Sequence, residues 1–258
     1  MLGIFDSGLG GLTVVREIKK RHPQTPLVYF GDTARVPWGN KSKKIVCRYA
    51  EEAAGFLIAQ KCDQIIIACN TASALAGDHL RKKFKKIKFF DVVGPVIDRI
   101  AEETKKSNAK TSVCVIGTKG TIKSGIYEKK IKKLDGNIKI RSRACPLFVP
   151  LVEEGWTENR IASEIAARYL KDFVTANYLI LGCTHYPLLK KTIQKVLGNK
   201  TKIISSAEEV ARRFEAATPT RSNKKVQDRF YFSDWTDHYE KLARKILKQK
   251  IKIKVKKF

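Results

Sequence analysis

The chain has 258 residues, 43% of them hydrophobic, enough for one large or two modest α/β domains and too many for a globally disordered chain. Its apolar runs fall far short of the ~20 residues that a membrane-spanning helix needs. The net charge of +27 is spread over lysine-rich segments rather than over arginines interleaved with aromatics, so it reads as a solvated surface before it reads as a nucleic-acid interface.

The N-terminus has no basic region before its apolar residues and runs straight into a strand over 2–5. That is not a secretory signal, and the expected location is the cytoplasm. The strand ends in Asp6-Ser7-Gly8-Leu9-Gly10-Gly11, ahead of a helix from about Leu12 to Arg21. A Gly-rich turn between strand and helix offers backbone N–H groups to anions, but Thr13 stands where the dinucleotide fingerprint needs its third glycine. Asp6 weakens a phosphate reading further. It suits the ammonium of an amino acid or a partnered base, and it equally suits a helix cap.

A second strand over 27–30 leads into Gly31–Ser42, GDTARVPWGNKS, whose glycines are too far apart for a Walker loop. A helix over 43–60 follows, with Ile45, Tyr49, Ala53, Phe56 and Leu57 on one face. The segment QIIIACNTASA (64–74) is an apolar strand, then Cys69, then Asn70, Thr71 and Ser73 opening a helix to about Lys83. Residues 89–93 form a strand, 95–106 a helix, and 112–116 a strand that ends in Gly117-Thr118-Lys119-Gly120-Thr121. A strand over 139–144 leads to Cys145, and a helix over 157–173 is capped by Thr157, with Ile161, Ile165, Ala166 and Tyr169 as its apolar stripe. The strand–helix alternation predicts parallel βαβ units.

The stretch YLILGCTHYPLL (178–189) repeats the earlier grammar: an apolar strand, Gly182, Cys183, Thr184, His185, then a helix opened by Pro187. A cysteine between a strand's carboxyl end and a helix start sits where ligands bind in open α/β sheets. Backbone N–H groups and the helix dipole favour a thiolate there. A strand over 202–204, a helix capped by Ser205-Ser206, a polar basic loop over 217–226, a strand over 227–233 and a helix over 237–248 complete the chain. The last residues, IKIKVKKF, alternate like an edge strand guarded by lysines. The expected fold is α/β, two similar domains with mostly parallel sheets flanked by helices, residues 1–92 with 205–258 in one and 93–204 in the other, sharing a cleft.

The six cysteines show no CxxC and no short pairing, and the four histidines are scattered, so neither a disulfide framework nor a metal site is expected. Cys47, Cys62, Cys114 and Cys145 read as small buried hydrophobes. Cys69 and Cys183 differ. Two thiols in one cleft, each at its own strand end, suit proton removal on one face of a carbon and delivery on the other, one as thiolate and one as thiol. That inverts a stereocentre without a cofactor. His185 is a candidate proton partner. Asn70, Thr71, Thr118, Thr121 and Thr184 supply donors for a carboxylate whose α-carbon is being deprotonated.

FDSGLGGLTV (5–14), GDTARVPWGNKS (31–42), ACNTASA (68–74), IGTKGT (116–121), CPLFVPLVEEG (145–155) and LGCTHYPLL (181–189) together resemble the glutamate racemases of the aspartate/glutamate racemase superfamily. The resemblance implies two pseudo-two-fold-related α/β domains and cofactor-independent interconversion of L- and D-glutamate, supplying D-glutamate for peptidoglycan. It implies Cys69 and Cys183 as the acid/base thiols, Asp6 assisting Cys69, and His185 with Glu153 on the Cys183 side. Asp6, Ser7, Trp38, Gly39, Asn70, Thr71, Thr118, Thr121, Thr184 and His185 would contact substrate. A homodimer is the expected assembly, with no specific nucleic-acid partner. Trp38 stands where the family usually has Tyr, so a hydroxyl hydrogen bond is lost there. The alternatives are the same scaffold acting on aspartate or another amino acid, against which His185 argues by resemblance, and a basic nucleic-acid-binding protein.

Overall fold

The computed structural model describes residues 1–105, 111–217 and 227–257. Its elements in chain order are β1 (Leu2–Asp6), α1 (Leu12–Arg21), β2 (Leu27–Gly31), α2 (Lys43–Ala59), β3 (Gln64–Ile67), α3 (Asn70–Lys83), β4 (Lys88–Asp91), α4 (Gly94–Thr104), β5 (Ser112–Gly117), α5 (Lys119–Lys123), α6 (Ile126–Leu134), β6 (Lys139–Ala144), α7 (Phe148–Glu153), α8 (Arg160–Leu170), β7 (Tyr178–Gly182), α9 (Lys190–Leu197), β8 (Lys202–Ser205), α10 (Ser206–Ala217), β9 (Arg229–Phe232), α11 (Asp237–Leu247) and β10 (Ile253–Val255). The loop expected over 217–226 lies outside the described residues from 218 on, as do residue 106 of one expected helix and residue 258 of the last strand.

The strands form two sheets, β10-β9-β2-β1-β3-β4 and β6-β5-β7-β8, and every pairing among the described residues is parallel. Parallel strands need helical crossovers, so both faces of each sheet are covered and the central strands are apolar throughout. Leu2 and Ile4 of β1 join one core with α1, α10 and α11, while Phe5 faces the opposite core with α2 and α3. In the second sheet Val113, Val115 and Ile180 pack with α4 and α6, and Cys114, Ile116, Leu179 and Leu181 with α7, α8 and α9.

Both sheets share one wiring. The first runs β2-β1-β3-β4 before its two added strands; the second runs β6-β5-β7-β8. In each, the chain leaves the first strand to one side, then returns to the other, creating a switch point between the first and third strands, where crevices open at the carboxyl ends. Cys69 follows β3 and Cys183 follows β7, the third strand of each half. The motifs therefore occupy equivalent corners of a repeated plan. Helix α10 packs on α1 and on α4, and Arg212 on it reaches Glu102 at 3.0 Å.

Several local expectations shift. Asn159, not Thr157, caps α8: its side chain accepts from the Ala162 N–H at 2.9 Å, leaving Thr157 in the preceding turn, where its carbonyl accepts the Thr192 hydroxyl at 2.5 Å. The core face of α8 is Ala162, Ala166 and Leu170, and Ile161 is exposed. In α2 the buried face is Val46, Ala50, Ala53, Ala54 and Leu57, because small side chains let the helix approach α3 and the sheet closely. Cys183 is followed by a single 3-10 turn, Tyr186–Leu189, and not directly by an α-helix. Cys62, Cys114 and Cys145 are buried, whereas Cys47 is half-buried.

Candidate active site

The carboxyl ends of the two sheets enclose a cavity of about 240 Å³. Ser7, Trp38, Gly39, Asn70 and Thr71 line it from the first half, and Thr118, Glu153, Thr184 and His185 from the second; Cys69 and Cys183 both reach it. Each cysteine is only 5% exposed, so both sulfurs lie at the cavity floor. Two expected contacts lie behind the wall instead: Asp6 is fully buried and Thr121 is 1% exposed, and neither lines the cavity.

The surroundings of the two thiols differ in sign. Cys69 caps α3 in extended backbone, and burial pushes its thiol up to about 12. The negative charges of Asp6 and Cys183 add to that rise, while the Ser7 hydroxyl and the Ala72 N–H oppose it. Cys183 faces a cation. His185 Nδ1 lies 3.9 Å from its sulfur, and His185 Nε2 lies 3.2 Å from Glu153 Oε1. Burial works against charging this imidazole, but the bonds to Cys183 and Glu153 outweigh it and the pKa is pushed up to about 10. One side of the cavity thus pairs a thiol with a carboxylate, the other pairs a sulfur with an imidazolium.

Asp6 sits at the junction of the halves. Its Oδ2 accepts the Gly8 N–H at 3.0 Å and its Oδ1 accepts the Thr184 hydroxyl at 3.4 Å. Burial raises its pKa, against the positive charge of His185 and the N–H groups of Gly11, Gly8 and Ser7. It does not cap α1, whose N-cap is Gly11 with no side-chain bond. The glycine loop serves close approach: a Cβ on Gly10 would stand 2.5 Å from His185 Nδ1 and closer still to Thr184 Oγ1. Thr13 shares its hydroxyl hydrogen between the Thr184 carbonyl at 2.9 Å and the Gly10 carbonyl at 2.8 Å.

Opposite this junction, the hydroxyls of Thr71, Thr118 and Thr121 lie within 2.9–3.3 Å of one another across the two halves. Asn70 donates to Ser206 Oγ at 3.1 Å and accepts the Tyr127 hydroxyl at 2.7 Å; Ser206 donates on to the Leu181 carbonyl at 3.2 Å. Trp38 is buried, and its indole N–H donates to Asp32 Oδ2 at 3.2 Å, so the ring that replaces tyrosine is held by a bond of its own. Tyr127 carries no motif and Ser206 reads only as a helix cap; the pattern gives no sign that either holds Asn70. Thr13 was visible only as the residue that spoils a dinucleotide fingerprint. Pro146, Val149 and Pro150 also line the mouth, within a quoted motif but without polar atoms to mark them.

The Asp/Glu/Hydantoin racemase family model matches residues 13–214. The chain belongs to this family. A glutamate racemase of Geobacter metallireducens is 48% identical over 82% of this chain and 77% of its own length, and one of Aquifex aeolicus is 41% identical over 98% and 96%. The crystal structure of a glutamate racemase from Francisella tularensis in complex with D-glutamate superposes with a TM-score of 0.89 at 34% identity, covering 98% of this chain and 96% of that one. The two-sheet plan and the cleft between its halves are those of the family fold. Among the described residues, no helix is long and apolar enough to cross a membrane.

Proposed function

We propose that the protein racemises glutamate without a cofactor, supplying D-glutamate for peptidoglycan synthesis. The observation that carries the reading is two cysteines at equivalent strand ends, in one small cavity, with oppositely charged neighbours. Racemisation needs one group that takes the α-proton and one, across the carbon, that gives a proton back. Cys183 beside the His185 imidazolium serves as the base toward one enantiomer, with Glu153 holding the imidazole charged. Cys69, kept protonated by burial and by Asp6, serves as the acid. Once Cys183 holds the proton it took and Cys69 has given up its own, the roles are exchanged for the reverse direction, with His185 beside the Cys183 thiol and Asp6 near the Cys69 thiolate. The carbanion forms next to a carboxylate, so its charge spreads onto those oxygens. The hydroxyls of Ser7, Thr71, Thr118 and Thr184 and the Asn70 amide are donors for it, with Thr121 orienting Thr118 from behind. Trp38 and Gly39 form the remaining wall.

The same reading places residues 1–92 with 205–258 in one domain and 93–204 in the other, and a cytoplasmic homodimer with no specific nucleic-acid partner as the working form. Circular dichroism of L-glutamate incubated with purified protein and no added cofactor tests it: the signal decays to zero. A panel of other L-amino acids stays unchanged, and faster inversion of aspartate would reassign the substrate. Cys69→Ser and Cys183→Ser each lose racemisation by at least about a thousandfold, each retaining at most slow deuterium exchange from one enantiomer. Full turnover in either variant excludes the two-thiol mechanism.

A further inference from the structure

Strand β2 is buried from end to end, with Leu27 and Tyr29 on one face and Val28 and Phe30 on the other. Packing alone asks for nothing more than a phenylalanine at position 29, as at position 30. The phenol oxygen is the atom to account for. It donates to the Gly8 carbonyl at 2.6 Å, from a side chain with no exposed surface. Burial, with the negative charges of Asp6 and Cys69 nearby, pushes its pKa well above the ordinary 10, so the phenol keeps its hydrogen and remains a donor. Gly8 is held at both of its polar backbone groups: its carbonyl accepts from Tyr29 while its N–H donates to Asp6 Oδ2 at 3.0 Å. Two other residues without side chains make room for this meeting. A Cβ on Gly31 would stand 2.5 Å from the Gly8 oxygen, and one on Gly11 would stand 2.8 Å from Tyr29 Oη and 2.4 Å from Asp6 Cβ.

The turn Asp6-Ser7-Gly8 brings two groups to Cys69, the Asp6 charge and the Ser7 hydroxyl. Gly8 has the most backbone freedom of the three, so an anchor on it decides where both groups point. We propose that Tyr29 is a positioning residue for the Cys69 half of the acid/base pair: its hydroxyl fixes Gly8, and Gly8 fixes the Asp6 carboxylate beside that sulfur. The inference rests on the two-thiol reading of the site and adds a residue that does not itself line the cavity. The Cys183 side is held separately, by His185 and Glu153. Loss of the phenol therefore disturbs one thiol and spares the other.

The test uses the full chain as wild type, Tyr29→Phe, Tyr29→p-aminophenylalanine, whose N–H is a weaker donor in the same place, and Tyr178→Phe. The last is a control, since the Tyr178 hydroxyl meets Glu103 at 3.4 Å and lies outside the cavity lining. Each protein gives a melting curve, kcat and KM for L- and D-glutamate, and the primary isotope effect on kcat/KM for each α-deuterated enantiomer. Tyr29→Phe is expected to lower kcat roughly tenfold, with KM within about twofold of wild type. Slowing the Cys69 step alone makes it limiting in both directions. The isotope effect then rises for the enantiomer that Cys69 deprotonates and falls toward unity for the other; Cys183→Ser identifies the first as the one whose α-hydrogen still exchanges. The p-aminophenylalanine protein falls between wild type and Tyr29→Phe, and Tyr178→Phe matches wild type. A lower melting temperature with both isotope effects unchanged means a packing role and overturns the proposal. So does an asymmetry of the opposite sense, or one of equal size in Tyr178→Phe. A p-aminophenylalanine protein identical to wild type overturns it too, and decides the matter alone should Tyr29→Phe fail to fold. A wild type that does not racemise glutamate brings down the reading of the site as well, whereas an active wild type with unchanged isotope effects in the variants removes the role of Tyr29 only.

Discussion

His185 holds its proton because two acceptors, the Cys183 sulfur and Glu153, outweigh the cost of burying the charge. Its folded pKa of about 10 lies above the ordinary 6.5, so the charged ring contributes stability in full below pH ~6.5 and loses it as pH rises through about 10. The difference in melting temperature between wild type and His185→Asn is expected to shrink steadily from pH 6.5 to 10, and an alkaline fall of kcat is expected near pH 10 in wild type and absent or displaced in the variant. A flat difference across that range would mean the imidazole is neutral. Gly10→Ala is a second test at this scale. The added methyl meets His185 and Thr184, so kcat should fall at least about a hundredfold, with a stability cost of about 1–3 kcal/mol by thermal denaturation. The two cysteines and Asp6 stand out as candidates in the sequence because a thiol or carboxylate right after an apolar run is out of place in a core and in place at a strand's end, and His185 because it lies two residues from Cys183. Thr13, Tyr127 and Ser206 were not, because each acts on a residue 57 to 171 positions away, and no local pattern encodes such a meeting.

At the scale of elements, strands were easier to read than helix faces. Apolar runs that stop at a polar residue or a glycine (Asp6, Cys69, Gly117 and Gly182) locate β1, β3, β5 and β7 to within a residue or two, since a strand buried on both faces has little other sequence freedom. Helix faces depend on what packs against them. Alanines turned α2 toward its neighbours, and Asn159 outbid Thr157 as cap because its amide reaches the N3 position. The edge strand at the C-terminus was visible from its alternation and does pair, with β9. The contact between α6 and the start of α3 is testable by itself. Tyr127→Phe removes the hydroxyl that Asn70 accepts and leaves a buried acceptor unmet, at an expected 1–2 kcal/mol by urea denaturation, with a loss in kcat as Asn70 loosens. An unchanged midpoint would show that Asn70 finds another donor.

For the molecule as a whole, the charge of +27 is carried mostly by solvated lysines, and binding to nucleic acid should follow bulk electrostatics. A mobility shift with duplex DNA is expected at low salt, with no sequence preference, and lost by roughly 0.2 M salt; a site that survives there would call for a second role. The repeated strand order was only half readable: the paired cysteine motifs announce two similar halves, but the register that sets them face to face comes from packing of α10 on both α1 and α4. The two halves are bridged across the cleft by Thr13 to Thr184, Tyr127 to Asn70 and Thr71 to Thr118, whereas Val36, Pro37, Pro146 and Pro150 are exposed among its lining residues. Pulling the halves apart would break the Thr13–Thr184 and Thr71–Thr118 hydrogen bonds together, whereas a shift of the exposed proline-bearing edges would break neither.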